Sequence, residues 1–391
     1  PVTTLAACLV ALTLSAASAA AATYDAHYRV EARPQNGTLH VELKLSGDNL
    51  PSRVELSIDP QRHRTFASTD RIEVAGSKVT WRPQGKFSRI SYDFVVNHER
   101  FAGRYDSLMT KDWALFRGDK MVPRLSTTAV KGLEARTTLE FVLPEGCIEA
   151  TPYPMVKSSE GSSGKTEPLR IDDPARKLDR PLGWMLIGKL GKRSESITGI
   201  QTVIAAPVGD SARRQDMLSF LNWNLPHLVK VFPDFPKRIV VVSAGDPMWR
   251  GGLSASNSLF LHADRPLVSE NGTSALIHEL THMVTRISGV VTATTNDDWI
   301  AEGLAEYYSF ELLYRAHGIS KARRHKIVEA LAKWGADIKH LRSGKSTGPV
   351  TARAVVLLDQ LDQEIRERTE GKHTLDDVTR KLMTIRKVSL T

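Results

Sequence analysis

The sequence predicts an α+β protein: an N-terminal β-sandwich domain, then a mixed second domain that ends in helices. Three observations carry this. Residues 24–145 alternate apolar and polar side chains in short runs broken by turn residues, the pattern of strands that bury one face. The stretch His278-Glu279-Leu280-Thr281-His282 sits on a helical period instead, with Leu276, Ile277, Leu280, Met283, Val284 and Ile287 on its apolar side. Beyond it the chain reads as successive helices, at roughly 299–316, 319–338, 351–369 and 374–386.

Residues 1–22 carry no charge. An apolar run from Leu5 to Leu14 precedes the small residues Ser15–Ala22, so the stretch reads as the core and cleavage zone of a secretory signal. It is too short for a membrane span. The expectation is an exported protein, periplasmic or secreted, in which Cys147 is left without an intramolecular partner and the fold rests on its core. The remaining length suits two domains, 23–176 and 177–391. A net charge of +9 favours acidic partners or anionic surfaces. Nucleic-acid binding is not expected, because no platform interleaves basic residues with stacking aromatics.

In the first domain Tyr28–Ala32, Thr38–Leu45, Arg53–Ile58, Arg89–Val96 and Thr137–Leu143 read as strands. Asn36-Gly37, Gly47-Asp48 and Gly76-Ser77 punctuate them. Its histidines, His40, His63 and His98, are scattered singly and do not form a site. Residues 157–168 form a loop by composition. Within it Gly161–Thr166 has too few residues between its glycines for a phosphate loop. The second domain opens with β segments at Gly183–Leu190 and Ile197–Ala206, then a helix from about Asp210 to Val231. Arg238–Ser243 and Ser258–His262 read as buried strands leading into the His278–His282 helix.

On that helix residues four apart share a face, so both imidazoles point the same way and can bind one zinc ion. Glu279 lies beside the metal, where a carboxylate can take a proton from the attacking water. A third ligand is needed, and Asn296-Asp-Asp-Trp-Ile-Ala-Glu302-Gly-Leu-Ala-Glu306 offers Glu302. Ser288-Gly289 can end the first helix, and Asp297 or Asp298 can cap the second. Glu306, one turn beyond Glu302, can accept the other ring N–H of a ligand histidine and fix its tautomer.

The H-E-x-x-H pair followed by W-x-x-E-G resembles the gluzincin zinc peptidases, which include thermolysin. Glu302–Ala316, Leu361–Thr369 and Leu375–Val378 resemble, more closely, the glycyl aminopeptidase family. The resemblance implies a thermolysin-like (gluzincin) catalytic domain, with His278, His282 and Glu302 as Zn²⁺ ligands and Glu279 as general base. It also implies that a strand at Gly251, Gly252, Leu253 and Ser254 holds the substrate backbone. Family members tend to read Gly-Gly-Leu-Glu-His there, and this chain reads Ser254-Ala255 where they carry Glu-His. The acidic partner of a substrate α-amino group is therefore missing, unless Asp264 or Glu270 folds into its place. The family's oxyanion tyrosine is missing too, since no tyrosine follows Tyr314. His325, His340, Arg353 and His373 are candidate substitutes. The expected function is a zinc-dependent peptidase acting on a peptide or protein. The alternatives are a zinc-binding homologue that has lost activity and a zinc hydrolase of another bond.

Overall fold

The computed structural model describes residues 22–155, 168–172, 178–342 and 344–390. Residues 1–21 of the expected signal segment and nearly all of the 157–168 loop lie outside the described residues.

The N-terminal half is built of strands, as alternation predicts. In Thr23–Arg33 the residues Tyr24, Ala26, Tyr28 and Val30 point inward and are buried, while those between them are more exposed. This strand centres a six-stranded sheet, in spatial order Leu169–Ile171, Glu134–Val142, Thr23–Arg33, Thr38–Ser46, Phe87–Val95 and His63–Ser68. Its hairpin to Thr38–Ser46 turns through Gly37, whose φ of 64° is open to glycine at no steric cost. A four-stranded sheet, Arg124–Thr128, Arg53–Ser57, Lys78–Arg82 and Arg71–Ala75, shares the same core through Val54, Leu56, Val79 and Trp81. Two sheets closing over one core make the expected sandwich.

A third sheet goes beyond that expectation. Its order is Ile148–Ala150, Trp184–Gly188, Trp113–Arg117, Arg104–Met109 and His98–Phe101, and the single-turn helix α1 (Gly118–Met121) follows its middle strand. Trp184–Gly188, expected to open the second half, pairs with Trp113–Arg117. It is buried on both faces. Met185 and Ile187 enter the sandwich core, whereas Trp184 and Leu186 join a cluster with Val240, Val242 and Phe260 from the next sheet. One strand thus serves two cores.

The second half begins with a five-stranded sheet ordered Leu190–Ile197, Ile200–Pro207, Arg238–Ala244, Ser258–His262 and Gly252–Ala255. The central three strands are parallel, so the link between the first two crosses over through helix α2 (Arg214–Val231). This helix starts later than Asp210, whose carboxylate instead accepts the N–H groups of Ala212 and Gly245. Gly252–Ala255 pairs antiparallel with Ser258–His262 and forms one edge of the sheet.

Helices α3 (Ala275–Thr285), α4 (Trp299–Arg315), α5 (Lys321–Trp334), α6 (Pro349–Arg368) and α7 (Leu375–Ile385) complete the chain. α3 is capped by Ser274, whose Oγ accepts the Ile277 N–H, and ends at Arg286 in the left-handed region. Ser288–Gly289 does not end it. That pair forms a short strand parallel to Lys387–Val388 and so ties the chain's end back beside α3. Nor do the two aspartates cap α4 as expected. Asp298 stands at the cap position but accepts the Gly289 N–H, and buried Asp297 binds Arg342 and Ser389. Polar groups pulled into tertiary contacts are lost to local capping. α4 rides closely on α6, where a Cβ at Gly303 would stand 2.9 Å from Ala354. Among the described residues no helix is long and apolar enough to cross a membrane.

Candidate active site

The apolar face of α3 fixes what its polar face presents. Leu276, Ile277, Leu280 and Met283 are buried in the core with α4, which leaves His278, Glu279 and His282 turned toward the surface. α4 packs against that side and delivers Glu302. The Nε2 atoms of His278 and His282 are 3.1 Å apart. Glu302 sends one oxygen to each, at 3.5 Å. All the ligand atoms of the three residues lie within 4.8 Å of one another.

These distances suit a metal. Two ring nitrogens held about 2.0–2.1 Å from a tetrahedral zinc stand roughly 3.3 Å apart. The donor set of two imidazoles and one carboxylate, with a position to spare, also suits zinc of the catalytic type. Glu306 accepts the Nδ1 hydrogen of His278 at 2.9 Å, which leaves Nε2 free to bind a metal. The electrostatics agree with a cation site. Burial disfavours a charged His278, yet hydrogen bonds to Glu302 and Glu306 hold its pKa up, to about 10. Burial likewise opposes ionised Glu302, but His278 and His282 push its carboxyl down to about 2.

Glu279 lies against the edge strand. A Cβ at Gly252 would stand 2.5 Å from Glu279 Cγ and 2.9 Å from Oε1, so only glycine lets the strand come this close. Both residues line a cavity of about 190 Å³ with His278, Glu306, Ser269 and Arg265. Gly251 lies one residue before the strand, where its carbonyl accepts the His262 N–H. That bond sets the alternation of the pair, so Gly252 and Ser254 turn their N–H and C=O groups to the open edge. Leu253 and Ser254 border a separate, larger cavity.

Sequence reasoning therefore named a set of residues that the fold brings together: His278, Glu279, His282, Glu302, Glu306 and the Gly252–Ser254 edge. It missed Arg265, the cation of the small cavity. A single arginine in Asp264-Arg265-Pro266 carries no periodicity or motif that could have marked it. Of the candidate oxyanion donors, His325 on α5 pairs with Glu329, and His373, just before α7, pairs with Asp377; both are exposed and neither lines the small cavity. Exposed His340 and Arg353 do not line the small cavity among the described residues. Asp264 and Glu270 do not line it either. Asp264 accepts from Ser211, and the Glu270 carbonyl accepts from Arg323.

The order of elements, a β-rich N-terminal half followed by a sheet and then helices bearing a His-His-Glu cluster, has the fold of the M1 zinc metallopeptidases. An aminopeptidase N family protein from Idiomarina loihiensis is similar at a TM-score of 0.67 and 14% identity, over 92% of this chain and 70% of that one. The M1 zinc metallopeptidase of Deinococcus radiodurans is similar at 0.52 and 17% identity, over 94% of this chain and 88% of that one. A mutant of the latter bound to a Tyr-Ser-Ala substrate gives 0.53 at 16% identity over the same shares. No protein-family model and no curated protein sequence matches the chain.

Proposed function

We propose that this protein is a zinc-dependent peptidase. The observation that carries the reading is the His278–His282–Glu302 cluster, with Glu279 set between it and a free strand edge. Similarity in fold to M1 zinc metallopeptidases supports it, one of them bound to a Tyr-Ser-Ala substrate. A zinc ion held by His278, His282 and Glu302 would supply Lewis-acid polarisation of the substrate carbonyl and make the attacking water more acidic. Glu279 takes the proton from that water and delivers it to the leaving amine. Glu306 holds the His278 ring in one tautomer. Gly252 and Ser254 offer backbone donors and acceptors that bind a peptide by strand addition. Arg265 supplies positive charge beside the cavity, in the absence of the tyrosine the resemblance would lead one to expect.

The glycyl aminopeptidase resemblance supports an aminopeptidase-like enzyme, and the uncharged segment 1–22 supports export. Zinc quantification together with digestion of a peptide library tests the reading. Stoichiometric zinc with reproducible cleavage is expected, and zinc without any cleavage would refute it. Ser254 and Ala255, standing where the family has Glu-His, favour a second reading: a zinc-binding homologue that holds peptides without cutting them.

A further inference from the structure

The larger cavity, about 580 Å³, opens between the N-terminal half and Leu253 and Ser254 of the edge strand. Its walls carry Arg62, Arg100, Arg117, Lys120, Arg124 and Arg180 against three acids, Asp59, Asp106 and Asp119. The acids are mostly engaged. Asp119 takes Arg117 in a two-pronged pair at 3.1 and 2.7 Å, and Asp106 takes His98 at 2.7 Å. Asp59 accepts the Gln61 N–H at 2.9 Å.

The cations are less well matched. Arg62 is only 8% exposed. It donates to the carbonyls of Val95 and Val96, and its guanidinium lies 4.5 Å from the centre of the Phe94 ring. Among the described residues no carboxylate comes within ion-pair distance of it. Burial pushes its pKa down, and the more distant charges of Asp106 and Asp59 only partly oppose that. A cation so placed is costly unless something in the cavity answers its charge. Arg100 lies over the Trp249 ring, and exposed Lys120 and Arg124 form no ion pair among the described residues. A carboxylate entering here would meet several charged donors, one of them, Arg62, already buried.

The strand edge decides where such a carboxylate comes from. A peptide added to Gly252–Ala255 passes Glu279 at Gly252 and the cavity at Leu253 and Ser254. At about 3.3 Å per residue, these positions are within one or two residues of each other along the peptide. We propose that this cavity is a subsite for a carboxylate of a peptide lying along the edge strand, either an acidic side chain near the reacting bond or the peptide's own C-terminus. The inference rests on the peptidase reading for its substrate and adds a charge preference that the reading alone does not contain. The net charge of +9 acts in the same direction at longer range.

The test is binding of alanine-based fluorescent hexapeptides to the full chain carrying Glu279→Gln, so that peptide is held but not cut. One peptide carries a central Glu and its counterpart a Gln, each made with a free C-terminal carboxylate and as the amide. A preference of about tenfold for Glu over Gln assigns the cavity to a side chain. The same preference for acid over amide assigns it to the C-terminus. In either case Lys120→Glu combined with Arg124→Glu, both exposed and remote from the core, should erase the preference. Added salt should weaken it. Equal binding of all the peptides overturns the inference, as does a preference that survives the charge reversal. Digestion of the same peptides by the unaltered chain is read separately. Carboxylate-dependent binding without cleavage would sink the peptidase reading and leave the subsite standing, and cleavage indifferent to charge would do the reverse.

Discussion

At the scale of single residues the site makes distinct demands. Glu279→Gln keeps the shape of the side chain but not its basic oxygen, so zinc content and fold should persist while hydrolysis falls by about a hundredfold or more. Wild-type turnover in that variant would remove Glu279 from the reaction. Gly252→Ala places a methyl group where Glu279 Cγ now stands. The strand is half-buried at the edge of its sheet, so the shift that relieves this clash should change thermal stability by less than about 1 kcal/mol while turnover collapses. Equal losses of both would mean that the glycine serves folding only. The proposed metal ligands carry a pH signature. With its pKa raised from 6.5 to about 10, His278 in metal-free protein keeps a proton that zinc must displace. Zinc uptake should therefore release a proton near neutrality and tighten as pH rises from 6.5 toward 10, which calorimetry in buffers of different ionisation heat would detect. The stability that this imidazole gives the metal-free fold follows the opposite course, present below 6.5 and lost as pH climbs toward 10. Glu302, lowered from 4.5 to about 2, contributes above 4.5 and ceases to as pH falls toward 2. His278→Ala or His282→Ala should abolish stoichiometric zinc, and full metal at unchanged affinity would disprove the ligand set.

At the scale of elements, legibility followed periodicity. α3 was readable because its apolar face recurs every turn, and the long strands Thr23–Arg33 and Thr38–Ser46 because theirs recur every second residue. Arg71–Ala75, an edge of the four-stranded sheet, and His98–Phe101, an edge of the third, are exposed on most positions, so no pattern announced either strand. The cap errors have a different origin. Asp297 and Asp298 look like local caps in sequence, but their partners, Arg342, Ser389 and Gly289, are set by the return of the chain's end. The helical part also hides a buried charge cluster. Glu311 on α4 binds Arg315 at 2.9 Å and Arg324 of α5 at 2.6 Å, while these two arginines reach Asp376 and Asp359. Removing the shared carboxylate leaves each guanidinium with a single acidic partner, Asp376 for Arg315 and Asp359 for Arg324. Glu311→Ala should cost about 3 kcal/mol by chemical denaturation, and a change under about 1 kcal/mol would show that the cluster is already relaxed by solvent.

At the scale of the whole molecule, the cleft has the wrong polarity for strict capture of a free amine. An ammonium leaving water needs a carboxylate, and Ser254 and Ala255 supply none. N-acetylation of a cleaved peptide should therefore lower turnover less than about tenfold, roughly 1.4 kcal/mol of transition-state binding. A loss of a hundredfold or more, with cutting only at the first bond, would restore a plain aminopeptidase. The basic lining of the larger cavity was not legible in the sequence, because Arg62, Lys120 and Arg124 come from a turn, a one-turn helix and a strand that only the closed sandwich gathers. The sharing of Trp184–Gly188 between two cores has a thermodynamic corollary. A protein joined by a flexible tether melts in stages, each half at its own temperature. Here either half, on unfolding, would strip the other of a wall, so calorimetry should record one endotherm whose van't Hoff and measured enthalpies agree. Fragments severed ahead of residue 184 should be insoluble alone, and recover only when mixed.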